Sequence, residues 1–452
     1  MKGIWSARRL GDVCVFDKVQ GDHRHLPYVG LEHIEPNTAR FVGSTQPQAV
    51  RSATFRFSTE HVLYGRLRPY LNKVLAPHFN GHCSTEIFPL RPSRQLAREY
   101  LVYWLLDEVT MGHINATCTG ARMPRADMNE VLDFEIPTPP LPEQQRIVGI
   151  LDEAFAGIAA AKANAEKNLQ NARAIFEGHL RAVFYQGGSG AGEYPEIDRR
   201  RHHYDPQQFD NGVVDAQIAS LNGGQVTKTG GRHASLRHIP GEMSLAVGMP
   251  KTRAKSGWRW SVLSDLARLE SGHTPSRRYP EYWAGTIPWI GIPDAREHHG
   301  RRITSTFQTV SEQGIANSSS RVLPANTVCL SRTASVGYVI IMGRPMATSQ
   351  DFVNWVCASE LVPDFLMYLL LAEGRDGFRR YSSGSVHQTI YFPEAKAFCI
   401  CHPEPQEQAR IVRQCEALST ETQRLASVYE RKLAALDELK RSLLHQAFSG
   451  QL

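Results

Sequence analysis

The sequence predicts an α+β protein with two similar domains, each followed by one long helix, and the two helices pairing as an antiparallel coiled coil. Three observations predict this fold: an internal repeat, two long segments with apolar residues at helical spacing, and short alternating runs between Gly- and Pro-rich turns. The chain has 452 residues, enough for roughly two to four domains. Its 42% hydrophobic and 21% charged residues exclude a fully disordered, collagen-like or disulfide-scaffold chain.

The internal repeat is the first of these observations. The segment Pro142–Val148 recurs as Gln406–Val412, at an offset of 264 residues. The same offset relates further pairs of identical residues: Gly120 and Gly384, Leu169 and Leu433, Leu180 and Leu444, Phe184 and Phe448. A single register held over this length is not a chance match, so the order is variable domain, constant segment, variable domain, constant segment.

The repeat and the composition divide the chain into five segments. These are a first domain at 1–141, a first long helix at 142–186, a Gly-rich linker at 187–256, a second domain at 257–404 and a second long helix at 405–452. The linker opens with the Gly-rich run 187–192 and has little apolar periodicity, which predicts a long and largely irregular connection.

Each domain combines short strand-like runs with one strongly helical stretch. Alternating runs such as Thr54–Phe57 and Tyr338–Ile341 predict mainly antiparallel strands. The stretches Arg98–Leu106 and Pro363–Leu370 predict one helix in each domain.

The two constant segments predict long helices that pair with each other. In both, apolar residues recur every three or four positions, and proline stands only at the start, as Pro142 and Pro405. The first seam is rich in alanine and the second in leucine, so small side chains face large ones and two helices can close without voids. The alternative is that each helix lies on its own domain as an ordinary amphipathic helix.

Short sequence patterns argue against a membrane span, a secretion signal and a metal site. The longest apolar run, Phe365–Ala372, is far short of the roughly 20 residues that cross a bilayer. The N-terminus has no apolar signal core, so we expect a cytoplasmic chain without a membrane partner. The closest group of metal-ligand types, Cys399–His402, lacks the paired spacing of a zinc site, so no metal is expected.

The motifs of the expected enzyme classes are missing from the sequence. There is no nucleotide-triphosphate loop, no Asn-Pro-Pro-Tyr or Asp-Pro-Pro-Tyr segment and no convincing carboxylate–lysine nuclease cluster. The Gly-rich run 187–192 follows a predicted helix rather than a strand, which is unlike a dinucleotide site. We therefore expect a non-catalytic chain that holds no cofactor. A net charge of +6 permits a nucleic-acid partner without requiring one.

The arrangement resembles the specificity (S) subunits of Type I restriction-modification enzymes. Its most specific pieces are the two domain-to-helix junctions, Ile136–Val148 and Cys401–Val412. The ending His445–Leu452 and the segment Leu63–Val74 are also similar to elements of such subunits. The second junction departs from the first because it lacks Pro-Pro-Leu.

The resemblance implies two target-recognition domains, each reading one half of a split, asymmetric site in double-stranded DNA. It implies that the helices set the spacing between the halves and dock two methyltransferase (M) subunits, through which restriction/translocase (R) subunits join. It also implies that S-adenosylmethionine, ATP and magnesium are used by those partners.

The candidate DNA contacts are positive groups for phosphates and forked or polar side chains for base edges, on segments placed near a flexible glycine. In the first domain they are Tyr64, Arg66, Arg68, Tyr70, Lys73, Thr119, Arg122 and Arg125. In the second domain they are Arg277, Arg278, Ser331, Arg332, Thr333, Tyr381, Ser385, His387 and Gln388.

Two other functions stay open at this point. The chain could be a stand-alone DNA-modifying enzyme, which predicts methylation or cleavage without partners. It could be a coiled-coil adaptor without a DNA role, which predicts no sequence-selective binding of duplex DNA even with a methyltransferase present.

Overall fold

The computed structural model describes residues 5–21, 23–120, 122–185, 212–224, 246–248, 253–333, 335–384 and 388–452. The chain divides into two compact units. Unit 1 comprises residues 1–169 and 427–452, and unit 2 comprises residues 170–426.

Helices of the described residues range from single turns to two very long elements. They are α1 (Leu10–Val13), α2 (Arg98–Leu106), α3 (Glu108–Ala116), α4 (Met128–Leu132), α5 (Leu141–Phe184), α6 (Gly212–Leu221), α7 (Leu263–Leu266), α8 (Ile292–Glu297), α9 (Glu312–Ala316), α10 (Pro363–Phe378), α11 (Phe392–Lys396) and α12 (Pro405–Ser449). The 3₁₀ turns are Leu31–His33, Pro69–Leu71, Pro280–Trp283 and Arg379–Tyr381.

The strands are short, as the alternating runs predict. In unit 1 they are β1 (Ala7–Arg9), β2 (Cys14–Phe16), β3 (Tyr28–Val29), β4 (Thr54–Phe57), β5 (Val62–Gly65), β6 (Val74–Leu75), β7 (Gly81–Ser84), β8 (Ile87–Pro92) and β9 (Glu135–Pro137). In unit 2 they are β10 (Ala246–Val247), β11 (Trp258–Val262), β12 (Ala267–Ser271), β13 (Ile287–Ile290), β14 (Arg302–Ile303), β15 (Gln308–Val310), β16 (Val328–Ser331), β17 (Val339–Met342), β18 (Ala347–Thr348), β19 (Phe352–Cys357) and β20 (Cys399–Pro403).

The repeat is visible in the strand order of the main sheet of each unit. In unit 1 the order is β2-β8-β5-β6, and in unit 2 it is β12-β19-β16-β17, extended by β14. All pairs in the four shared positions are antiparallel. The small sheets differ more. β3 pairs in parallel with β7, as β13 does with β18, but the third strand adds to β7 in one unit and to β13 in the other.

The core of unit 1 joins the main sheet to α2 and to both long helices. Tyr64 on β5 and Tyr100 on α2 are fully buried in it. Ile147 and Leu151 of α5 lie in the same cluster as Leu444 and Ala447 of α12, so this core also fixes the helices to the domain. Each such aliphatic side chain stabilises the unit by about 1.5–3 kcal/mol when fully buried.

Within unit 1, the two long helices run antiparallel. Arg146 Nη2 donates to Leu452 O at 2.7 Å, the Lys440 ammonium lies 5.2 Å from the centre of the Phe155 ring, and Lys162 pairs with Asp437. Residue numbers rise along α5 as they fall along α12. The predicted fold class is therefore confirmed, including helices that pack on each other and not only on their own domains.

The core of unit 2 repeats this plan with different side chains. Phe365 of α10, Phe184 of α5 and Cys415 of α12 belong to one buried cluster with Trp355 of β19. The rings of Phe184 and Phe365 meet edge to face with centroids 5.3 Å apart, a favourable aromatic geometry.

The description of 187–256 as largely irregular is wrong for two parts of the described chain. The helix α6 lies on unit 2 through Val214 and Ile218, which are buried against Val356. Its Asp215 pairs with Arg268. The strand β10 joins β20 in parallel. Elements of ten and two residues are too short to give a clear periodic pattern, and tertiary contacts stabilise them. The Gly-rich run 187–192 lies outside the described residues.

A single core substitution in α6 is expected to release it from unit 2. Ile218→Ala removes a side chain that is only 1% exposed and should weaken the docking of α6 by about 2 kcal/mol. Hydrogen exchange of the amides at 212–221 would then accelerate. Val213→Ala is the matched control, since Val213 is 68% exposed, and equal protection in both variants would contradict the docking.

Candidate functional site

Each long helix has a buried glutamine near its start, and this side chain joins the helix to its domain. Gln144 is fully buried on α5, and its Nε2 donates to Pro139 O at 2.8 Å and to Gln95 O at 2.9 Å. Its Oε1 accepts from Ala97 N–H at 2.8 Å. One side chain thus ties the helix start to the entry of α2.

The second junction repeats the same set of bonds. Gln408 is fully buried, and its Nε2 donates to Pro403 O at 2.8 Å and to Glu360 O at 2.9 Å. Its Oε1 accepts from Val362 N–H at 2.8 Å. Sequence reasoning recognised these junctions as motifs but not the glutamine as their clamp. Its identity at both copies of the repeat is the signal that could have found it.

In unit 1, two sequence-predicted segments form one surface, here called the first loop surface (residues 66–70, 117–120 and 122–125). Arg68 N–H donates to Pro124 O at 2.8 Å, and Ala126 N–H donates to Arg66 O at 3.0 Å. The backbones of Thr119 and Arg125 exchange two bonds, at 3.2 and 3.1 Å. The candidate residues are far apart in sequence, and these bonds bring them together.

Several candidates on the first loop surface are exposed. Arg68, Arg122 and Thr119 are exposed, and Tyr70 is 49% exposed. Neither Arg68 nor Arg122 has a side-chain partner within the described part of the chain, so both guanidinium groups can bind an anion. Arg68 also has a left-handed backbone, with φ of +52°, a strained conformation for a non-glycine residue that clusters at functional sites.

Two further candidate arginines surround one carboxylate. Arg125 Nε and Nη2 donate to Glu86, with the closest contact at 2.9 Å. Arg66 Nε lies 3.9 Å from the same carboxylate, and its guanidinium lies 5.2 Å from the centre of the Phe88 ring. The hydrogen bond to Glu86 raises the pKa of Arg125. Sequence reasoning missed Glu86, because a carboxylate is not itself a phosphate ligand.

The structure corrects the placement of two candidates in unit 1. Tyr64 is fully buried on β5, and burial raises the pKa of its hydroxyl. It is a core residue, so its predicted contact with DNA is wrong. Lys73 is half-buried, and its ammonium donates to Leu31 O at 2.6 Å. Its charged end therefore binds the protein backbone.

Unit 2 has a second loop surface (residues 273–278, 332–333, 350, 383–384 and 388–390) held by the same backbone pattern. Ile390 N–H donates to Arg332 O at 2.8 Å, as Ala126 does to Arg66. Ser383 and Thr389 exchange two bonds of 3.0 Å, as Thr119 and Arg125 do. Gly384 has a φ of +113° and Gly120 a φ of +93°. The position directly after Thr119 and after Ser383 therefore needs a residue that tolerates positive φ.

Arg332 is a half-buried member of the second loop surface. Its Nε donates to Gln350 O at 3.1 Å, and its guanidinium lies 5.0 Å from the centre of the Phe392 ring. Burial lowers its pKa, and nearby Asp351 opposes that shift. Thr333, also half-buried, forms a bridge with Thr389. Both side chains are therefore only partly accessible, at the edge of the exposed surface.

Two candidates in unit 2 are buried and their predicted contacts with DNA are wrong. Ser331 is fully buried, and its hydroxyl donates to Ser335 O at 2.6 Å. Tyr381 is 4% exposed, and its hydroxyl donates to Ala246 O at 2.5 Å. Both side chains hold backbone in place. Ser385 and His387 lie outside the described residues, and Gln388 is exposed.

The basic and aromatic turn 271–280 adjoins Arg332 through Gln350. The Thr274 hydroxyl bonds the Gln350 side chain, and His273 N–H donates to Thr348 O at 2.9 Å. Arg277 lies 4.3 Å from the centre of the Trp283 ring, and Nη2 donates to Gln308 Oε1 at 3.0 Å. Arg278 is exposed without a side-chain partner in the described ranges. Exposed Gln350 was missed, and only the fold reveals its position.

The chemistry available on both surfaces is recognition of anions and of hydrogen-bonding edges. Within the described residues, no group of three or more His, Cys, Asp and Glu side chains could hold a metal ion. In the same part of the chain, no helix is both long and apolar enough to span a membrane. The eight cysteines are free, and Cys118 in the first loop surface is half-buried.

Comparison with known proteins gives a consistent family match. A family model described as Type I restriction modification DNA specificity domain matches residues 57–170 and 255–429, more than half of the chain. The Type I restriction enzyme MjaIX specificity subunit of Methanocaldococcus jannaschii is 30% identical over 34% of this chain and 36% of its own length. The HindI specificity subunit of Haemophilus influenzae is 23% identical over 69% of each chain. The chain thus spans about a third of the first of these relatives.

Solved structures share the fold over nearly the whole chain. A chain from work on complex assembly and conformational transition of the type I R-M system has a TM-score of 0.72 and 18% identity, and covers 100% of this chain and 98% of its own. The HsdS subunit of Thermoanaerobacter tengcongensis has a TM-score of 0.55 and 17% identity, with 99% and 97% covered.

Proposed function

This chain belongs to the family of Type I restriction modification DNA specificity domains, and from that premise we propose that it is the specificity subunit of a Type I restriction-modification enzyme. Each loop surface reads one half of a split site in double-stranded DNA. The observation that carries this proposal is the repeated backbone pattern, which joins an Arg-bearing segment to a distant Gly-containing segment on one exposed surface in each unit.

The two half-sites differ in sequence because the two loop surfaces differ in side chains. Where unit 1 has Arg125, the equivalent bridge position in unit 2 has Thr389. Unit 2 presents Arg277 beside Trp283 and an exposed Arg278, and the first loop surface presents Arg68 and Arg122. Different donors and acceptors select different base edges in the major groove.

The long helices set the distance between the two half-sites and dock methyltransferase subunits, which bring in the restriction subunits. The antiparallel packing of α5 and α12 in unit 1 supports the first part of this proposal. Methyl transfer, ATP hydrolysis and DNA cleavage belong to the partner chains in the cytoplasm. S-adenosylmethionine, ATP and magnesium are accordingly the cofactors of those partners.

The rival functions have less support. A stand-alone DNA-modifying enzyme is not favoured by membership of a specificity family. A coiled-coil adaptor without a DNA role gives no reason for exposed arginines on two matched loop surfaces.

Protection of Cys118 tests the contact between the first loop surface and DNA. In the complex with the methyltransferase partner, a duplex that carries the recognised site should slow alkylation of Cys118 by about 10-fold, because bound DNA covers the adjacent 119–125 segment. Burial raises the pKa of the Cys118 thiol, so the thiolate is the minor form near pH 7. Without DNA the alkylation rate should therefore rise about 10-fold per pH unit.

A duplex that lacks the recognised site is the reference, since it should leave the alkylation rate of Cys118 nearly unchanged. Equal rates for Cys118 with the cognate duplex and with a duplex lacking the site would contradict the proposed contact.

A further inference from the structure

The Glu86–Arg125 pair on the first loop surface has a geometry that leaves part of the arginine free. Glu86 binds the guanidinium from the side, through Nε at 3.0 Å and Nη2 at 2.9 Å. The remaining bond of the group is a long one, from Nη1 to Met123 O at 3.4 Å. A side-on pair of this kind fixes the plane of the guanidinium.

A guanidinium carries five N–H donors. Glu86 engages the Nε donor and one Nη2 donor, and Met123 engages one Nη1 donor. One donor on Nη1 and one on Nη2 are left. Nη1 and Nη2 donors of a guanidinium match the O6 and N7 acceptors of guanine in the major groove.

The pair is held rigidly and remains accessible. The Arg125 backbone exchanges two bonds with Thr119, and Glu86 O accepts from Arg66 N–H at 2.9 Å. The Arg125 side chain is 36% exposed and Glu86 29% exposed. Arg66 stands 3.9 Å from the same carboxylate. Two cations around one anion leave net positive charge, so Glu86 orients Arg125 without cancelling attraction to DNA.

Unit 2 lacks this pair although the surrounding backbone is the same. Thr389 occupies the position of Arg125, and Asp351, whose carbonyl accepts from Arg332 N–H at 2.7 Å, occupies that of Glu86. The Asp351 carboxylate accepts from the Ser349 hydroxyl at 3.1 Å. The pair therefore distinguishes the first recognition surface from the second.

We propose that Arg125, oriented by Glu86, reads a guanine in the first half-site, and that Glu86 is the positioning residue for this specificity. The inference rests on the proposed function and deepens it, since it names one base and the residues that select it. Oriented in this way, the free edge of Arg125 makes two parallel hydrogen bonds to guanine, which adenine cannot accept at both positions.

The test is selection of bound duplexes from a randomised pool, using the full chain in complex with its methyltransferase partner. The wild type should enrich a split site with a guanine in one half. Glu86→Gln should reduce the guanine-over-adenine preference at that single position by about 10-fold, because a neutral amide no longer fixes the plane of the guanidinium. Arg125→Lys should abolish the preference while keeping the charge. The other half-site should not change.

The matched control is Glu99→Gln. Glu99 pairs with Arg98 through Nε and Nη2 at 3.0 and 2.9 Å, in the same unit but on α2, and its loss should leave every position unchanged. A uniform fall in affinity across all sequences, without loss of base preference, would mean that Arg125 binds a phosphate and would overturn the inference. If the wild-type complex enriches no motif at all, the proposed function itself fails. Thermal unfolding of each variant shows whether it is folded.

Discussion

Replacing Gln144 with leucine is expected to lower the free energy of unfolding of unit 1 by about 3 kcal/mol. Leucine has a similar volume, so the cost does not come from a cavity. It arises because Ala97 N–H, Gln95 O and Pro139 O lose the hydrogen bonds that the fully buried Gln144 side chain makes with them. Each buried polar group without a partner costs about 1–3 kcal/mol, and relaxation recovers part of the sum.

Denaturant unfolding followed by hydrogen exchange at residues 95–106 measures this effect in unit 1. The neighbouring Gln145 is exposed, so Gln145→Leu is a matched control that should change stability by less than about 0.5 kcal/mol. Gln408→Leu should destabilise unit 2 in the same way, with exposed Gln406 as its control. Similar stabilities of the Gln144 and Gln145 variants would show that the clamp is not a stabilising element.

The clamp shows where sequence reasoning stops. The junction motif is recognisable from its repetition, and it correctly predicts that a helix starts there. Two of the three partners of Gln144 are backbone groups nearly fifty residues earlier in the chain. A backbone group has no residue type that a pattern can detect, so only the fold identifies the contact.

The candidate site was predictable as segments and not as individual side chains. Both loop surfaces contain the predicted stretches, because glycine and clustered arginine are local signals. Tyr64 and Tyr70 lie six residues apart on one such stretch, yet the first is fully buried and the second is 49% exposed. That difference depends on β5 ending at Gly65 and on the 3₁₀ turn Pro69–Leu71 that follows. Alternation alone does not locate either end.

Glu86 and Gln350 belong to the recognition surfaces, but no local sequence pattern indicates them. Neither residue stands in a basic or glycine-rich run, and each reaches its surface from a strand connection elsewhere in its domain. Long-range pairing of strands decides which connections meet, and no local pattern encodes it.

Removing one heptad from each long helix is expected to shorten the spacing between the two half-sites while leaving both half-site sequences unchanged. Deleting 163–169 from α5 and 428–434 from α12 keeps the apolar seam in phase, because the seam repeats with the heptad. These segments lie next to the Lys162–Asp437 pair, on facing parts of the antiparallel helices. The loop surfaces and both glutamine clamps are untouched.

The size of the change follows from helix geometry. Seven residues correspond to about 10.5 Å of α-helix at 1.5 Å per residue, and one base pair of B-DNA rises about 3.4 Å. The deletion should therefore favour a spacer shorter by about three base pairs.

Binding of the complex to duplexes whose spacers are shortened by one to four base pairs measures the new optimum. Deleting the heptad from α5 alone is the control, since it breaks the register and should weaken binding at every spacing. An unchanged optimum in the double deletion would refute the role of the helices in setting the distance. The deletions remove no residue of either loop surface. Altered half-site sequences would therefore show that the helices also shape the recognition surfaces.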